Sequence, residues 1–463
     1  MFLRTQRNLE KPMTEILALL QNIAPLLERT TFKQMSQIVY AMLTSSGRIT
    51  MLGLSRWSEK GGSYRTIQRY YSKHLPWAAL HWKYFQSCFL KPGDEYIAAG
   101  DESVVSKAGK QTYGLDRFFA GLQQRVIPGL SFFAFSLVNV QEEHSYPIQI
   151  MQTVKSVEEK ATSKAKVEAK KNKEVQEKKK RGRPKGSKNK DKKEVALSPE
   201  LVRIQKSLQT FLDTIKGKIN LIYLAMDGHF GNYPSAFMVR QAGLHLISKL
   251  RSDAALYETC IVEERKKPGP KPKYGTKLDM PKIDPKYLKE TLIEDRIRTD
   301  IYQGQFFNKE FVFALNVVII LKTNLDTGCI AHVILFSTDL DLTYDRMIKF
   351  YSLRFQLEFN FRDAKQYWGL EDFMNIKETA VTNAANLSFF MVNFSYALLK
   401  PFRKYDQKFS ILDLKSHYRG LRYAAETIKM LPEKPDPFLL AEMFQRIARL
   451  GAIHPTFALV SSQ

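Results

Sequence analysis

The segment YSLRFQLEFNFRDAK, residues 351–365, fits two kinds of secondary structure. Its Leu and Phe residues alternate with Arg, Gln, Glu and Asn, which is the period of a half-buried strand. Over a longer stretch, apolar residues recur at steps of three and four from Met347 to Trp368, as on the buried side of a helix. No Gly or Pro interrupts residues 342–368, and a strand of about 27 residues would be far too long. The longer period therefore predicts one continuous helix.

Particular residues mark the ends and one face of this helix. Asp341 or Thr343 can cap its start, and Gly369 stands where a helix commonly stops. At about 100° per residue, four polar side chains share one narrow face beside the apolar stripe: Tyr351, Arg354, Glu358 and Lys365. One interpretation is a charged rim that contains an Arg–Glu pair four residues apart. The other interpretation is a functional site.

The composition is that of a folded protein with a polyanionic partner. The 463 residues are 44% apolar and 12% aromatic, which is enough for two or three domains with substantial cores. The formal charge of +24 and the isoelectric point near 9.6 are far from ordinary. They favour nucleic acid as the partner, with an anionic membrane surface as the weaker alternative.

The longest apolar stretches are too short to cross a membrane. Residues 311–321 and 384–399 fall below the roughly 20 residues that a helical span needs, and each contains Asn. They are predicted to be a core strand and a core helix. The N-terminus has no apolar run that ends in small residues, as a secretion signal would have. Three widely spaced cysteines fit neither a disulfide framework nor a zinc site, so we expect a cytoplasmic protein.

Changes in residue pattern divide the chain into regions. Segments at helical spacing come first, strand-like segments follow, and two insertions interrupt them. Strands followed by helical segments predict a mixed α/β sheet. The predicted regions are a helical DNA-binding domain over 1–92, a first core part over 93–251 with a basic insertion at 154–200, a partly β insertion domain over 252–328, a second core part over 329–380 that contains the Glu358 helix, and a C-terminal helical region over 381–463.

Two basic segments are candidates for DNA contact. A short helix after a Gly-Gly break carries Arg65 and Arg69, four residues apart, beside two tyrosines. This pattern is compatible with the second helix of a helix-turn-helix and with a solvated cationic face. The run RGRPKG, with Arg181 and Arg183, is similar to an AT-hook, whose arginines enter narrow A·T-rich minor grooves. A lysine-rich linker could contain the same run by composition alone.

Two aspartates follow apolar, strand-like segments. Asp101 comes after EYIAAG, and Asp227 comes after LIYLAM. Asp is disfavoured in strands and is rarely buried without a partner, so each is either a turn residue at a strand end or part of a metal site. Together with Glu358 they offer three hard oxygen ligands, which suit Mg²⁺ or Mn²⁺ rather than zinc. His229 could line the same site or be solvated in a turn.

These residues resemble a known family. The spacing Y-x2-R-x3-E-x6-K is that of the DDE transposases of bacterial insertion sequences, in the branch of the insertion sequence four type, and the Glu358 helix matches all four positions. With residue frequencies near one in twenty, a chance match is on the order of a few per thousand chains of this length. The order Asp, Asp, Glu with a long insertion before the glutamate is also similar. The resemblance covers roughly residues 95–375.

The resemblance implies a fold and a metal site. The fold would be an RNase H-like mixed-sheet catalytic core, with Asp101 on the first strand, Asp227 on the fourth and Glu358 on the helix after the insertion. The three acids would be the catalytic residues. They would hold two Mg²⁺ ions, or Mn²⁺ in their place.

The implied reaction is cut-and-paste transposition. Water and then the freed 3′-OH would attack phosphodiester bonds in line, with no covalent enzyme intermediate. Tyr351, Arg354 and Lys365 would contact the terminal phosphates of the transposon ends. The implied partners are double-stranded DNA, at terminal inverted repeats and at the target, and a second copy of the chain on that DNA. The implied location is the bacterial cytoplasm, at the nucleoid.

Two other functions fit the same residues. One is a non-catalytic protein that binds specific or A·T-rich DNA, and the other is a metal nuclease of the same fold without strand transfer. A hairpin intermediate is also left open, because some relatives hold a flipped base against an insertion-domain Trp, and none of the four Trp residues here lies in the insertion. The residues that could stack on a base instead are Tyr257, Tyr274, Tyr302, Phe306 and Phe307.

Overall fold

A mixed sheet of twelve strands organises the part of the chain that the computed structural model describes, which is residues 13–58, 61–161, 195–260, 273–433 and 435–454. In chain order the strands are β1 (Tyr96–Ser106), β2 (Asp116–Ala120), β3 (Arg125–Asn139), β4 (His144–Thr153), β5 (Tyr223–Met226), β6 (His245–Leu250), β7 (Leu256–Thr259), β8 (Tyr274–Lys277), β9 (Leu288–Glu294), β10 (Ile297–Asn308), β11 (Leu315–Asn324) and β12 (Ile330–Ser337). Across the sheet the order is β2-β3-β1-β5-β6-β12-β11-β10-β7-β8, with β4 beside β3 and β9 beside β10.

Five strands form the part of the sheet that carries the candidate site. β1 is antiparallel to β3, and β3 is antiparallel to β4. On its other side β1 is parallel to β5, which is parallel to β6. Near-continuous apolar runs in β3 and β5 suit strands that are covered on both faces. This arrangement confirms the predicted mixed α/β architecture and is consistent with an RNase H-like core.

Five strands from the described part of the segment predicted as an insertion domain, residues 252–328, extend the same sheet. β10 pairs with β9, β7 and β11. β11 is antiparallel to β12, and β12 is antiparallel to β6. The first five residues of β11 are buried, so the predicted core strand at 311–321 is confirmed from residue 315 onward. Backbone hydrogen bonds thus join the insertion directly to the core.

Helices precede, connect and follow the strands. Those named below are α1 (13–20), α2 (Arg29–Thr44), α3 (Met51–Trp57), α4 (Tyr64–Tyr71), α5 (Trp77–Cys88), α6 (Pro199–Ile215), α7 (Tyr233–Gln241), α8 (Tyr344–Leu353), α9 (Gln356–Gln366), α10 (Glu378–Arg403), α11 (Ile411–Met430) and α12 (Pro437–Arg449). The predicted core helix at 384–399 is confirmed by α10, which is buried along most of its length. Among the described helices, none combines the length and the apolar character needed to span a bilayer.

The N-terminal helices share a hydrophobic core with the C-terminal helices. Trp77 Nε1 donates a hydrogen bond to Asn383 Oδ1 at 2.7 Å, and Asn383 Nδ2 donates to the carbonyls of Tyr71 and Lys73. These bonds satisfy a buried amide side chain and join α4 and α5 to α10. The predicted division of the chain at residue 92 stays a prediction.

The prediction of one continuous helix over residues 342–368 is wrong, because two helices, α8 and α9, occupy this stretch. The amides of Phe355, Leu357 and Glu358 donate to carbonyls three residues earlier, which interrupts the α-helical pattern of four. Arg354 and Phe355 nevertheless keep dihedral angles close to α-helical values. The spacing of the apolar residues is therefore unchanged across the turn, so the break between α8 and α9 could not be predicted from it.

The two ends of this helical pair are close to those predicted. Thr343 is the N-cap residue of α8, although its side chain makes no capping hydrogen bond. After α9, Gly369 has a φ of +79°, the left-handed conformation that commonly ends a helix. A Cβ atom on residue 369 would lie 2.4 Å from Ile49 Cβ. Gly369 thus permits both the chain reversal and the close packing of α9 against the N-terminal region.

Replacing Gly369 with Ala is expected to lower the free energy of unfolding by about 1–3 kcal/mol for overpacking, added to about 1–2 kcal/mol for left-handed backbone strain. The control is Gly243→Ala, since Gly243 has a φ of +80° with no described atom within 4 Å of the added Cβ. Urea unfolding would measure both variants. Equal losses would show that contact with Ile49 does not constrain α9.

Candidate active site

Asp101 lies near the middle of β1, directly after five buried residues, Tyr96 to Gly100. The backbone amide of Glu102 donates to Asp101 Oδ1 at 2.7 Å. The guanidinium of Arg354 donates to Asp101 Oδ2 at 2.8 Å. Both carboxylate oxygens therefore accept a hydrogen bond, one of them from a cation, which compensates part of the cost of burying this charge.

Strand pairing holds Asp227 beside Asp101. Asp227 immediately follows β5, and Met226 at the end of β5 is the parallel partner of Gly100. The two aspartates thus occupy corresponding positions on adjacent strands, which lie about 4.8 Å apart. Asp227 Oδ1 also accepts a hydrogen bond from the His229 amide at 3.2 Å. Asp227 therefore lies at a strand end, and its side chain also caps the turn that follows.

Arg354 joins Asp101 to Glu358. Its Nη1 lies 2.8 Å from Asp101 Oδ2, and its Nη2 lies 3.1 Å from Glu358 Oε1. The Arg354 side chain is 11% exposed, whereas that of Glu358 is 43% exposed. The Arg354 guanidinium carbon also lies 5.7 Å from the centroid of the Tyr351 ring. Three of the four predicted face residues, Tyr351, Arg354 and Glu358, are therefore adjacent, and Arg354 connects them to Asp101.

The acids of this cluster interact electrostatically. Burial raises the pKa of Asp101 to about 6, although the charge of Arg354 lowers it. The negative charges of Asp227 and Glu358 contribute to this increase. Burial also raises the pKa of Tyr351, with Arg354 opposing and Asp227 adding to the increase. A cation placed among these acids would relieve their repulsion, as is common at functional sites.

The donor chemistry fits a hard divalent cation. Carboxylate oxygens are the ligands that Mg²⁺ and Mn²⁺ prefer, and Asp101 and Glu358 already converge on one positive group, the guanidinium of Arg354. In the described part of the chain, no group of three or more His, Cys, Asp or Glu side chains is gathered tightly enough to hold a metal. A metal would therefore need the carboxylates to move closer together than they are around Arg354.

Lys365 lies apart from the other three face residues. Its Nζ donates to the Val104 carbonyl at 2.9 Å, three residues beyond Asp101 on β1. Burial lowers the pKa of Lys365, and the charge of Glu371 raises it. The hydrogen bond fixes α9 along β1, so Lys365 has a positioning contact here, and its predicted contact with DNA stays a prediction.

The other predicted DNA-binding residues make no described contact with the acids or lie outside the described residues. Arg65 and Arg69 are exposed on α4, which begins with a hydrogen bond from the Thr66 amide to Ser63 Oγ. Arg181 and Arg183 lie outside the described residues. The roles of these four residues in DNA binding stay predictions.

His229 points to a different carboxylate from the three predicted ones. Its Nε2 lies 3.5 Å from Oε1 of Glu200 on α6. This hydrogen bond raises the pKa of His229, although partial burial opposes the change. The side chain is 67% exposed. The contact favours the interpretation of a solvated turn residue paired to α6.

The aromatic residues of the insertion form one partial cluster. The ring centroids of Tyr257 and Tyr274 are 5.5 Å apart, and those of Tyr274 and Phe307 are 6.0 Å apart. Phe306, in contrast, is buried and packs on Tyr287. Phe306 therefore cannot stack on a base in this conformation, whereas Tyr257, Tyr274 and Phe307 are adjacent and partly exposed. Tyr302 is also partly exposed but lies outside this cluster.

A cleft of about 1050 Å³ lies beyond the C-terminal end of β1 and was not predicted from the sequence. It forms where the segment after α2, the β1–β3 segment and the segment after α9 meet. The charged residues that line it are Arg48, Lys107, Lys110, Arg125, Glu371 and Asp372. Lys107 Nζ donates to the carbonyls of Glu371 and Phe373 and lies 3.7 Å from the Phe373 ring centroid. The sequence signal that could have indicated this cleft is the run KAGKQ directly after β1, because it contributes Lys107 and Lys110 to the lining.

Comparison with known proteins identifies one family. The family model described as DDE superfamily endonuclease matches residues 22–305, more than half of the chain. The match includes Asp101 and Asp227 and ends before Glu358. A comparison with curated proteins gives no match.

The raised pKa of Asp101 predicts a pH-dependent stability. A carboxylate with a folded-state pKa of about 6 stabilises the fold below its unfolded pKa, about 3.9, and this contribution is lost as the pH rises through 6. In metal-free protein, the unfolding free energy of wild type relative to Asp101→Asn should therefore fall by about 2–3 kcal/mol between pH 4 and pH 7. Urea unfolding with a chelator would measure it, with the exposed Asp253→Asn as control. A difference that does not change with pH would contradict the prediction.

Proposed function

Because the chain belongs to the DDE superfamily of endonucleases, we propose that it is a transposase, which cuts DNA at the ends of a mobile element and joins the freed 3′ ends to target DNA. The observation that carries the proposal is the meeting of Asp101 and Glu358 at Arg354, with Asp227 on the adjacent strand end. The family match supports DNA cleavage. The spacing of the four residues on the α8–α9 segment supports the finer assignment.

Asp101, Asp227 and Glu358 are proposed as the catalytic residues and as ligands of two Mg²⁺ ions. When bound, such ions supply charge stabilisation to the attacking and leaving oxygens of an in-line displacement. The three side chains contribute the negative charge that retains the cations. Their partial burial supports this role, because charge interactions are stronger where water is excluded.

Arg354 is proposed to contact a DNA phosphate next to the acids. Its Nε is buried and has no hydrogen-bond partner within the described residues, so this donor would bind a phosphate oxygen once the side chain moves away from Asp101. Arg binds phosphate through paired N–H groups, and the tight turn at Arg354 directs this side chain toward β1. Tyr351 would present its hydroxyl beside Arg354. Lys365 is proposed as a further phosphate contact, which would replace its bond to Val104.

The basic segments are proposed to recognise the DNA on either side of the cleavage point. Arg65 and Arg69 on α4 would contact the terminal inverted repeats, and Arg181 and Arg183 would enter an A·T-rich minor groove. The cationic lining of the 1050 Å³ cleft supports a DNA path beyond the far end of β1. Joining two ends requires two active sites, so the active species is proposed to be a homodimer on DNA, acting in the bacterial cytoplasm.

Replacing Glu358 with Gln tests the catalytic assignment. In the presence of Mg²⁺, we give the protein a DNA duplex that carries the sequences flanking the gene for this chain, and we expect the variant to cut it over about 100-fold more slowly than wild type. Loss of a group that only hydrogen-bonds to a metal ligand typically lowers activity by about 10–100-fold, so a larger loss indicates a metal ligand. The control is Glu294→Gln, an exposed residue on β9. Gel electrophoresis would follow strand breaks.

Two outcomes would favour other functions. Equal cutting by wild type and Glu358→Gln would contradict the catalytic assignment of Glu358. No cutting at all together with salt-sensitive binding would favour a DNA-binding protein without chemistry. Cutting by wild type that gives no joined product from pre-cut ends and a target plasmid would favour a metal nuclease without strand transfer.

A further inference from the structure

The β2–β3 hairpin, residues 116–129, extends the sheet past the C-terminal end of β1. Pairing between β1 and β3 stops where Ser106 lies opposite Gly129. Among the described strands, the residues of β3 before Gly129 pair with β2 alone. The hairpin is therefore a ribbon of two strands that projects from the end of the sheet.

The two faces of this ribbon differ in exposure. Phe118, Ala120 and Ile127 are buried on one face. On the other face Phe119 is 59% exposed and Val126 is 47% exposed, and these two residues lie directly opposite each other. The solvent side of an antiparallel ribbon normally carries polar residues, and departures from such a rule are expected at functional sites. These two residues are called the Phe119–Val126 pair below.

The Phe119–Val126 pair lies on the same face of the sheet as Asp101. Asp101 is opposite Ala134 in the β1–β3 ladder, and residues that are opposite each other point to the same face. Alternate residues of β3 from Ala134 back to Val126 share that face, over a distance of about 26 Å at about 3.3 Å per residue. A duplex rises about 3.4 Å per base pair, so the pair lies about eight base pairs from the acids.

Cationic side chains flank the pair and line the adjoining cleft. Arg117 is exposed on the same face of the hairpin as Phe119. The acid of the hairpin, Asp116, pairs with two lysines. Four cationic and two acidic side chains line the cleft of about 1050 Å³ at the base of the hairpin, and Arg125 is one of the cations. This charge favours the phosphates of a polyanion.

The size of this surface suits a groove of DNA better than a protein partner. A stable protein interface uses about 20–30 residues on each side. A ribbon of two strands can enter a groove of a duplex, and proteins that bend DNA insert apolar side chains such as Phe between base pairs. The paired residues of the hairpin present four exposed side chains on this face, which are Arg117, Phe119, Val126 and Pro128.

We propose that the Phe119–Val126 pair wedges between base pairs of the duplex that is bound at Asp101, Asp227 and Glu358, and that it bends this duplex about eight base pairs from the bond that is cut. The inference rests on the proposed function and adds a second place of contact, away from the chemistry. The bend would bring the intervening phosphates against the cationic cleft, and these contacts would offset the loss of base stacking.

The test measures the shape of a bound duplex that carries the sequences flanking the gene for this chain. A duplex of about 30 base pairs is about 100 Å long, and with a dye at each end its energy transfer rises when it bends. The measurement uses a chelator and saturating protein, which fluorescence anisotropy verifies. Wild type should bend the duplex by about 20–90°. The double variant Phe119→Ala with Val126→Ala should still bind, because the cations remain, and should lose the bend.

Two further variants control for folding and for exposure. The double variant Phe119→Leu with Val126→Ile keeps two apolar side chains and should retain the bend. Phe438→Ala removes a phenyl ring that is 86% exposed on α12 and should change neither binding nor bend. The salt dependence of binding should be equal in wild type and the alanine variant, because no phosphate contact is removed. Thermal unfolding would verify that the alanine variant is folded.

Four results would overturn the proposal: no bend with wild type, an equal bend with the alanine variant, loss of binding by that variant, or loss of the bend in the leucine–isoleucine variant. A change in self-association alone, seen by sedimentation, would also overturn it and assign the pair to contact between copies. The bend is measured without divalent metal, so its failure is distinguishable from failure of the Glu358→Gln test. A protein that bends the duplex and does not cut it with Mg²⁺ would contradict the proposed function instead.

Discussion

The candidate site depends on the parallel pairing of β1 with β5. With Gly100 opposite Met226, the next residue on each strand is an aspartate, so backbone hydrogen bonds hold two carboxylates side by side. Gly100 also lets β1 lie close to the aromatic rings behind it, because a Cβ there would be 3.1 Å from Phe135 Cε1. Adjacent, partly buried acids repel each other, and the fold tolerates them because Arg354 approaches from a third element.

Arg354 is therefore both a structural and a chemical group. Its ion pairs with Asp101 and Glu358 connect the sheet to α9 through charge, and Lys365 connects the same two elements through the Val104 carbonyl. Removing one partner of a buried ion pair leaves an uncompensated charge, which is more costly than losing an exposed pair. Binding of a cation or a phosphate at this place would thus redistribute interactions that already exist, since each charged group exchanges one partner for another.

Local residue patterns predicted several of the strands and helices. The features that were missed depend on tertiary contacts. Apolar runs correctly predicted β1, β5 and β11, and the apolar run at 384–399 predicted α10. The break at Arg354 was missed because its dihedral angles stay α-helical while the hydrogen bonds change. β2 was missed because a five-residue strand in a polar segment depends on pairing with β3. The direction of Lys365 toward Val104 likewise depends on how α9 lies on β1, which helical geometry alone does not determine.

The continuity of the sheet across the insertion has a mechanical consequence. A lid that is attached by loops can open by rotation of a few backbone angles. The insertion is instead joined to β6 through the ladders of β12, β11 and β10, so rotation about its ends would break many backbone hydrogen bonds at once. The insertion is therefore expected to keep a fixed position relative to the core. Access to the acids must then come from movement of side chains such as Arg354, or of elements outside the sheet.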